Sequence, residues 1–238
     1  MNRIAEDGPG KKEVMEMFNA ISSRYDFLDH FMSFGIDHYW RRKALDYLKV
    51  DKPAFILDIA TGTADFAIKA LRILKAEKVI GVDIAHKMLD IGRSKIKAKK
   101  LDDRIHLQSG DAENLDFPDN HFDALTIAFG VRNFVNLELG LSEMRRVLKE
   151  NARFVILEFS LPGKFPVKQF YRFYFNGIVP LLGRWFARHQ IAYEYLPGSV
   201  NSFPYGEKFV HILKNAGFRN IVYKTLTFGI CTVYSGLK

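Results

Sequence analysis

"ILDIATGTADFA", Ile56–Ala67, runs from an apolar strand through a loop of small residues into a helix, and its reading decides the fold. Strand, small-residue turn and helix in that order place backbone N–H groups around a ligand, and glycine permits both unusual dihedrals and close approach. Two positions where nucleotide-binding loops usually carry glycine are Ala60 and Ala64 here, and the dinucleotide fingerprint G-x-G-x-x-G is absent. Asp58, at the strand's end, would also repel a pyrophosphate. An acidic residue there suits a ligand with an ammonium group instead.

Working outward, the chain alternates strand and helix patterns. The apolar runs "AFILDI", "VIGVDI", "RIHLQ" and "FDALTIAF" come in order, with helical periodicity after the first, second and fourth, and "RFVILEF" follows the last of these helices. Such alternation predicts a mostly parallel α/β sheet covered on both faces, because parallel neighbours need crossovers of helix length. Ligands in such sheets bind beyond the carboxyl ends of the strands. Upstream, Val14, Met17, Phe18, Ile21, Tyr25, Leu28 and Met32 recur at helical spacing, and Asp37 is read as the N-cap of a second amphipathic helix. Downstream, "YGEKFVHILKNAGF" reads as a helix and "RNIVYKTLTFGICTVYSGLK" as two strands turning near Phe228 and Gly229.

The later loops test the ammonium reading. Asp83 ends the second strand, where a carboxylate can accept two ribose hydroxyls, each charge-assisted bond contributing about 1.5–3 kcal/mol. In "SGDAENL", Asp111 and the Ala112 backbone can meet an adenine. Any one of these aspartates could be a helix cap or turn residue. Three acidic strand ends in order, after a small-residue loop, point to S-adenosylmethionine, which has an ammonium, a sulfonium and no phosphate.

Composition narrows the partners. The 238 residues are 48% apolar and 26% charged, enough for one elaborated domain with an ordinary core. A formal net charge of +8 suggests an anionic partner, either nucleic acid, a lipid surface or an acidic substrate. Cys231 is the single cysteine, which excludes an internal disulfide and zinc ligation by cysteine pairs, so no metal is expected. The opening "MNRIAEDGPGKKEV" has no apolar core, and no run of roughly 18 uncharged apolar residues follows, so neither a signal peptide nor a spanning helix is expected.

With these residues in view the chain resembles a class I S-adenosylmethionine-dependent methyltransferase with a Rossmann-like fold. More narrowly it is similar, over nearly its whole length, to the ubiquinone/menaquinone biosynthesis C-methyltransferase family, UbiE/MenG. "YDFLDHFMSFGIDHYWRR" (Tyr25–Arg42) and "RVLKENARFVILEFS" (Arg146–Ser160) follow the family's two signatures, and "FGVRNF" (Phe129–Phe134) its substrate-side loop. The resemblance implies a mostly parallel seven-stranded sheet with an antiparallel C-terminal strand pair, an N-terminal helical lid region over 1–50, and a methyltransferase domain over 51–238 with a helical insertion at about 161–200. It carries cofactor contacts onto Thr63, Asp83, Asp111 and Ala112, with Asp58 and Gly62 beside them. Two departures stand out: "KENARF" replaces the usual Lys-Pro-Gly-Gly, putting Asn151 or Ala152 at a turn glycine, and Ala128 replaces a hydroxyl residue. Asn tolerates positive φ, which limits the first.

The chemistry implied is methyl transfer to a ring carbon of a polyprenylated hydroquinone, demethylmenaquinol to menaquinol; the benzoquinol of ubiquinone biosynthesis is the alternative acceptor. The ring becomes a carbon nucleophile when a phenolic proton is removed, at a cost of about 4 kcal/mol at neutral pH for a pKa near ~10. Arg132 and Asn133 are the first candidates for stabilising the phenolate, Arg132 otherwise being a surface ion-pair former. Tyr25, Asp26 and His38 follow from the first signature, and Glu158 reads as a supporting or capping group.

Leu161–Tyr193 holds lysines, arginines and many aromatics but no acidic residue, and on a helix Lys168, Arg172 and Asn176 form one polar stripe. That pattern fits an interfacial helix in transient contact with a membrane surface, a lid over a greasy ligand, or packing against the domain or a homodimer partner. The expected location is cytoplasmic, at the inner face of the membrane. A nucleic-acid methyltransferase would need an Asn-Pro-Pro-Tyr tetrad or a catalytic cysteine near the cofactor loops, which are missing, so no nucleic-acid partner is expected. A non-catalytic membrane-surface module is the further alternative if the alanine-bearing loop holds no cofactor.

Overall fold

A computed structural model describes residues 10–33, 35–163, 165–173, 177 and 191–238. Seven strands form one sheet in the order β3-β2-β1-β4-β5-β7-β6. β1 (Phe55–Ile59), β2 (Lys78–Asp83), β3 (Ile105–Ser109), β4 (Phe122–Ala128) and β5 (Leu148–Phe159) run parallel, while β7 (Cys231–Leu237) pairs antiparallel with β5 and with β6 (Arg219–Leu226). The order reverses between β1 and β4, which opens a crevice beyond their carboxyl ends.

Side-chain alternation along the strands builds two core layers. Ile56, Ala124, Val155 and Val233 face one layer with Ala44 and Leu45 of α2 (Asp37–Leu45), Phe66, Ala67 and Leu71 of α3 (Asp65–Leu74) and Ile96 of α4 (His86–Ala98). Leu57, Leu125, Ile156 and Tyr234 face the other, with Leu141 and Met144 of α5 (Leu137–Val147) and the α8 residues Phe209 and Leu213 (α8 spans Glu207–Asn215). Strands buried on both faces explain why the sequence reads as continuous apolar runs. The insertion contributes α6 (Val167–Phe173) and α7 (Ile191–Ser202); its other parts, including Asn176 and the Trp185 and Phe186 of the aromatic tract, lie outside the described residues.

Several local expectations are corrected. The first helix, α1 (Lys11–Met32), starts ahead of Val14. Asp37 is not an N-cap: Ile36 precedes the helix, and the buried Asp37 carboxylate accepts from the Ser33 hydroxyl at 2.9 Å and pairs with Arg41. The "KENARF" turn lies within β5, which already pairs at Leu148 with Phe122; Asn151 takes φ 62° there and shifts the register before Arg153 meets Ala124. Ala60 and Ala64, the missing glycines, both adopt positive φ, 52° and 67°.

Candidate functional site

The crevice opens into a cleft of about 710 Å³, solvent-side space included, walled by the loops after β1 to β4 and roofed by α1. The β1 loop contributes Ala60 and Gly62. Gly62 has φ 54°, and a Cβ there would meet nothing within 4 Å, so its backbone lies open to the cleft. Gly130, after β4, has no room for a side chain: a Cβ would stand 2.4 Å from that of Ala60.

Asp83 closes β2 and fixes the first two loops to each other. Its Oδ2 accepts the Gly62 N–H at 2.8 Å and its Oδ1 the Ala85 N–H at 2.8 Å. Burial pushes its carboxyl above the usual range, and backbone hydrogen bonds from Ala85, Gly62 and Ile84 oppose that shift. A carboxylate has about four acceptor sites, so it can still accept from a ligand hydroxyl. After β3, Asp111 caps its own turn through the Glu113 N–H at 2.9 Å. Lys11 of α1 crosses to it, with its ammonium 2.7 Å from both Asp111 Oδ2 and Glu113 Oε2. Val14, Phe18 and Tyr25 of the same helix line the roof.

Thus Gly62, Asp83, Asp111, Ala112, Tyr25 and Asn133 are brought to one cleft. The remaining candidates stand behind its wall. Asp58 faces inward, fully buried, accepting the Thr61 and Thr126 hydroxyls, each at 2.6 Å; burial raises its carboxyl to about 6. Thr63 is bonded to Asp26 and, at 2.9 Å, to Lys95, whose ammonium also pairs with Asp26 at 2.6 Å and Asp65 at 2.8 Å. That cluster fastens α1 to the β1 loop and α4. His38 is exposed on α2, near Lys69 and the buried Asp37.

Arg132 is a buried ion-pair former. Its Nη1 lies 2.7 Å from Glu158 Oε1 and donates also to the Phe129 carbonyl, while Nε donates to Ser199 Oγ of α7 at 3.3 Å. Glu158 in turn accepts the Phe159 N–H at 2.9 Å, and the guanidinium lies 5.5 Å from the Phe159 ring centroid. The Phe129–Phe134 turn is therefore clamped from β5, and Tyr195 of α7 donates to Asn133 Oδ1 at 2.9 Å. Sequence reasoning missed Lys11, Lys95, Glu113 and Tyr195. Glu113 sits inside the quoted "SGDAENL", but the other three reach the site only by tertiary crossing, which no local pattern signals.

The sequence profile of the ubiE/COQ5 methyltransferase family matches residues 7–238. The chain belongs to that family. Demethylmenaquinone methyltransferase of Bacteroides fragilis is 44% identical over 234 residues, 98% of this chain and 96% of that one. The ubiquinone/menaquinone biosynthesis C-methyltransferase UbiE of Geotalea daltonii is 42% identical across the whole of both chains. In structure, a SAM-dependent methyltransferase of Thermotoga maritima superposes with TM-score 0.66 over 94% of this chain and 99% of its own at 19% identity, a likeness of fold.

This methyltransferase uses S-adenosyl-L-methionine, and the cleft's donor set fits that molecule. Asp83 offers acceptor oxygens beside a backbone open at Gly62, and apolar Ile84, Met88 and Phe134 line the same cleft as Asp111 and Ala112. Lys11, the one cation on the cleft wall among the described residues, is paired with two carboxylates. A pyrophosphate would face Asp83 and Asp111 without a free positive partner.

Proposed function

We propose that this enzyme methylates a ring carbon of a polyprenylated hydroquinone, converting demethylmenaquinol to menaquinol. The name of the B. fragilis relative, matched over 98% of the chain, supports the naphthoquinol; the G. daltonii relative keeps the benzoquinol as a second acceptor. The observation that carries the reading is the juxtaposition, in one cleft, of the three strand-end loops with Tyr25 and Asn133 on a turn clamped by Arg132 and Glu158.

Asp83 holds the ribose hydroxyls, Gly62 lets the backbone approach, and Asp111 with the Ala112 backbone meets the adenine. When bound, the cofactor supplies an electrophilic methyl group on its sulfonium. The chain's task is then to orient the quinol and favour its ionised form, whose formation costs about 4 kcal/mol at neutral pH. Asn133 and Tyr25 hydrogen-bond the reacting hydroxyl. Arg132 is a positioning residue: it fixes the turn through the Phe129 carbonyl and sets a permanent positive charge behind it, partly offset by Glu158. The prenyl tail lives in a bilayer, so the enzyme meets a lipid surface transiently to reach it.

The test offers labelled cofactor with short-tailed demethylmenaquinol and with the matching benzoquinol. Label is expected in the naphthoquinol ring. Label in neither quinol refutes the proposal, and label confined to the benzoquinol replaces its acceptor.

A further inference from the structure

Large apolar side chains in water are informative when they cluster beside one sign of charge. Phe165 is 81% exposed, Phe228 80% and Phe173 68%, and Tyr39 and Ile36 are exposed as well. Phe165, Phe228 and Tyr39 come from three segments that meet. The Trp40 indole donates to Thr227 Oγ1 at 2.7 Å, which fixes α2 against the β6–β7 turn. Ser160 Oγ donates to the Gly229 carbonyl at 2.8 Å, and a Cβ on Gly229 would stand 3.3 Å from Pro162 Cα, so the chain leaving β5 packs on the same turn. Phe228 is the tip of that turn, and Tyr39 flanks Trp40.

The position follows from the topology. β7 starts at Cys231 opposite Phe159, the last residue of β5, so the turn lies at the carboxyl edge of the parallel strands, the edge that carries the cleft. Trp40 meets the cleft-lining Phe129 edge-on, with ring centroids 6.1 Å apart. One layer of aromatic packing separates the exposed patch from the cleft wall.

The charge around the patch is mostly of one sign, the nearest partly exposed carboxylate being Asp46, which lies 3.6 Å from the Lys43 ammonium and 2.6 Å from that of Lys49. Segments 35–45, 160–173 and 226–232 contain a single acidic residue, Asp37, which is buried and paired with Arg41. Arg42 and Lys43 on α2 and Lys168 on α6 are exposed, Lys43 lying 5.8 Å from the Tyr39 ring centroid. A second copy docked by two-fold symmetry would bring these cations together, and like charges repel. An anionic lipid surface meets both features, taking aromatics at the headgroup level and basic side chains against the phosphates.

We propose that Phe228, Phe165 and Tyr39 enter the interfacial layer of an anionic bilayer while Arg42, Lys43 and Lys168 contact its headgroups, seating the cleft edge on the membrane. This names the docking face of the site above and rests on reading its substrate as a prenylated quinol. Among the described residues no helix is long and apolar enough to cross a membrane, so contact of this kind is peripheral.

The test is co-sedimentation of the full chain with vesicles of mixed phosphatidylcholine and phosphatidylglycerol, and of phosphatidylcholine alone. The wild type should bind the mixed vesicles more tightly, and less so at high salt. Phe228→Asn with Phe165→Ser should weaken binding to both by about tenfold per phenylalanine; Asn is chosen because Phe228 has φ 58°, a region Asn tolerates. Arg42→Gln with Lys43→Gln should weaken binding to mixed vesicles about fivefold per charge and leave phosphatidylcholine binding unchanged. On a tail-less demethylated naphthoquinol in solution these variants should turn over like the wild type, which also shows that they fold. Equal vesicle binding by the wild type and the phenylalanine variant overturns the proposal, as does a wild-type dimer that the variant converts to monomer. If the wild type methylates no quinol, tailed or not, while vesicle binding still falls in the variants, the substrate reading fails and the docking face stands.

Discussion

The Arg132–Glu158 pair gives the sharpest test of how the substrate-side turn is held. Glu158 is fully buried and takes three donors: Arg132 Nη1 at 2.7 Å, the Phe159 N–H at 2.9 Å and the Arg132 N–H at 3.3 Å. Glu158→Leu removes the one carboxylate partner, among the described residues, of a guanidinium whose side chain is 5% exposed. An uncompensated buried charge costs about 3–5 kcal/mol, a large part of a total stability of about 5–15 kcal/mol. With a urea slope of about 2–3 kcal/mol/M, the midpoint should fall by about 1–2 M. Arg132→Met should cost a similar amount for the converse reason. The Arg132→Met/Glu158→Leu double replacement fills the same volume with apolar atoms and leaves no charge behind, so it should recover most of that loss, ending within about 2 kcal/mol of the wild type.

Turnover separates this from a purely structural pair. The stable double replacement should still lose turnover on a tail-less quinol by about 100-fold, with cofactor affinity nearly unchanged, because the fixed charge behind Asn133 is gone. Urea melts followed by circular dichroism and calorimetry with S-adenosylhomocysteine supply the two readouts. A double replacement as unstable as both single ones added together refutes the charge argument, and normal turnover in it refutes the positioning role.

Four further outcomes are expected. Asp83→Ala should weaken S-adenosylhomocysteine binding about 10- to 100-fold in calorimetry, through lost ribose bonds and a released Gly62 N–H; unchanged affinity would place the ribose elsewhere. Burial raises the Asp58 carboxyl to about 6, so the folded state holds its proton more tightly than the unfolded chain does. Its contribution is complete below an unfolded pKa near ~3.9 and is lost as pH rises through about 6, a change of about 3 kcal/mol; Asp58→Asn should therefore compare better with the wild type at pH 7 than at pH 4 in urea melts. Ala60→Gly should raise Tm slightly, since relief of a positive φ worth about 1–2 kcal/mol outweighs the entropy of a freer unfolded chain. Ala64→Gly should leave Tm nearly unchanged, because its methyl is fully buried and losing it costs about 0.8 kcal/mol.

The sheet was legible because its central strands are buried on both faces, so they appear as apolar runs, and all the parallel connections except β3 to β4 have the length of a helix. The loops that meet at the cleft were legible because acidic residues at strand ends have few other reasons to recur in order. Legibility failed where a side chain's direction decided the matter. Asp58 and Asp83 both end strands, yet Asp58 turns into the core onto Thr126 while Asp83 faces the cleft, and strand alternation predicts that only when the register of neighbouring strands is known. Arg132 was readable as an oxyanion partner or a surface ion-pair former from sequence alone; that its pair with Glu158, 26 positions away, is a buried one emerges only once β4 and β5 are paired.

The Tyr25–Arg42 signature gains a physical division from the same view. Its second half is structural: Trp40 bonds Thr227, and Asp37 pairs with Arg41, whose guanidinium lies 5.3 Å from the Phe129 ring centroid. Its first half belongs to a roof held by bonds to the segments that follow β1, β2 and β3. Asp26 takes Thr63 and Lys95, the Asn19 side chain accepts the Lys87 N–H at 2.9 Å, and Lys11 bridges Asp111 and Glu113. These pairs are partly buried, the Glu113 side chain being 5% exposed and that of Lys95 22%, and Val14 of the same helix is buried, so pairing and packing together hold α1. Asp111 and Thr63, which hold this roof, are also among the residues proposed for the cofactor, so any coupling between ligand and roof is the same in both directions.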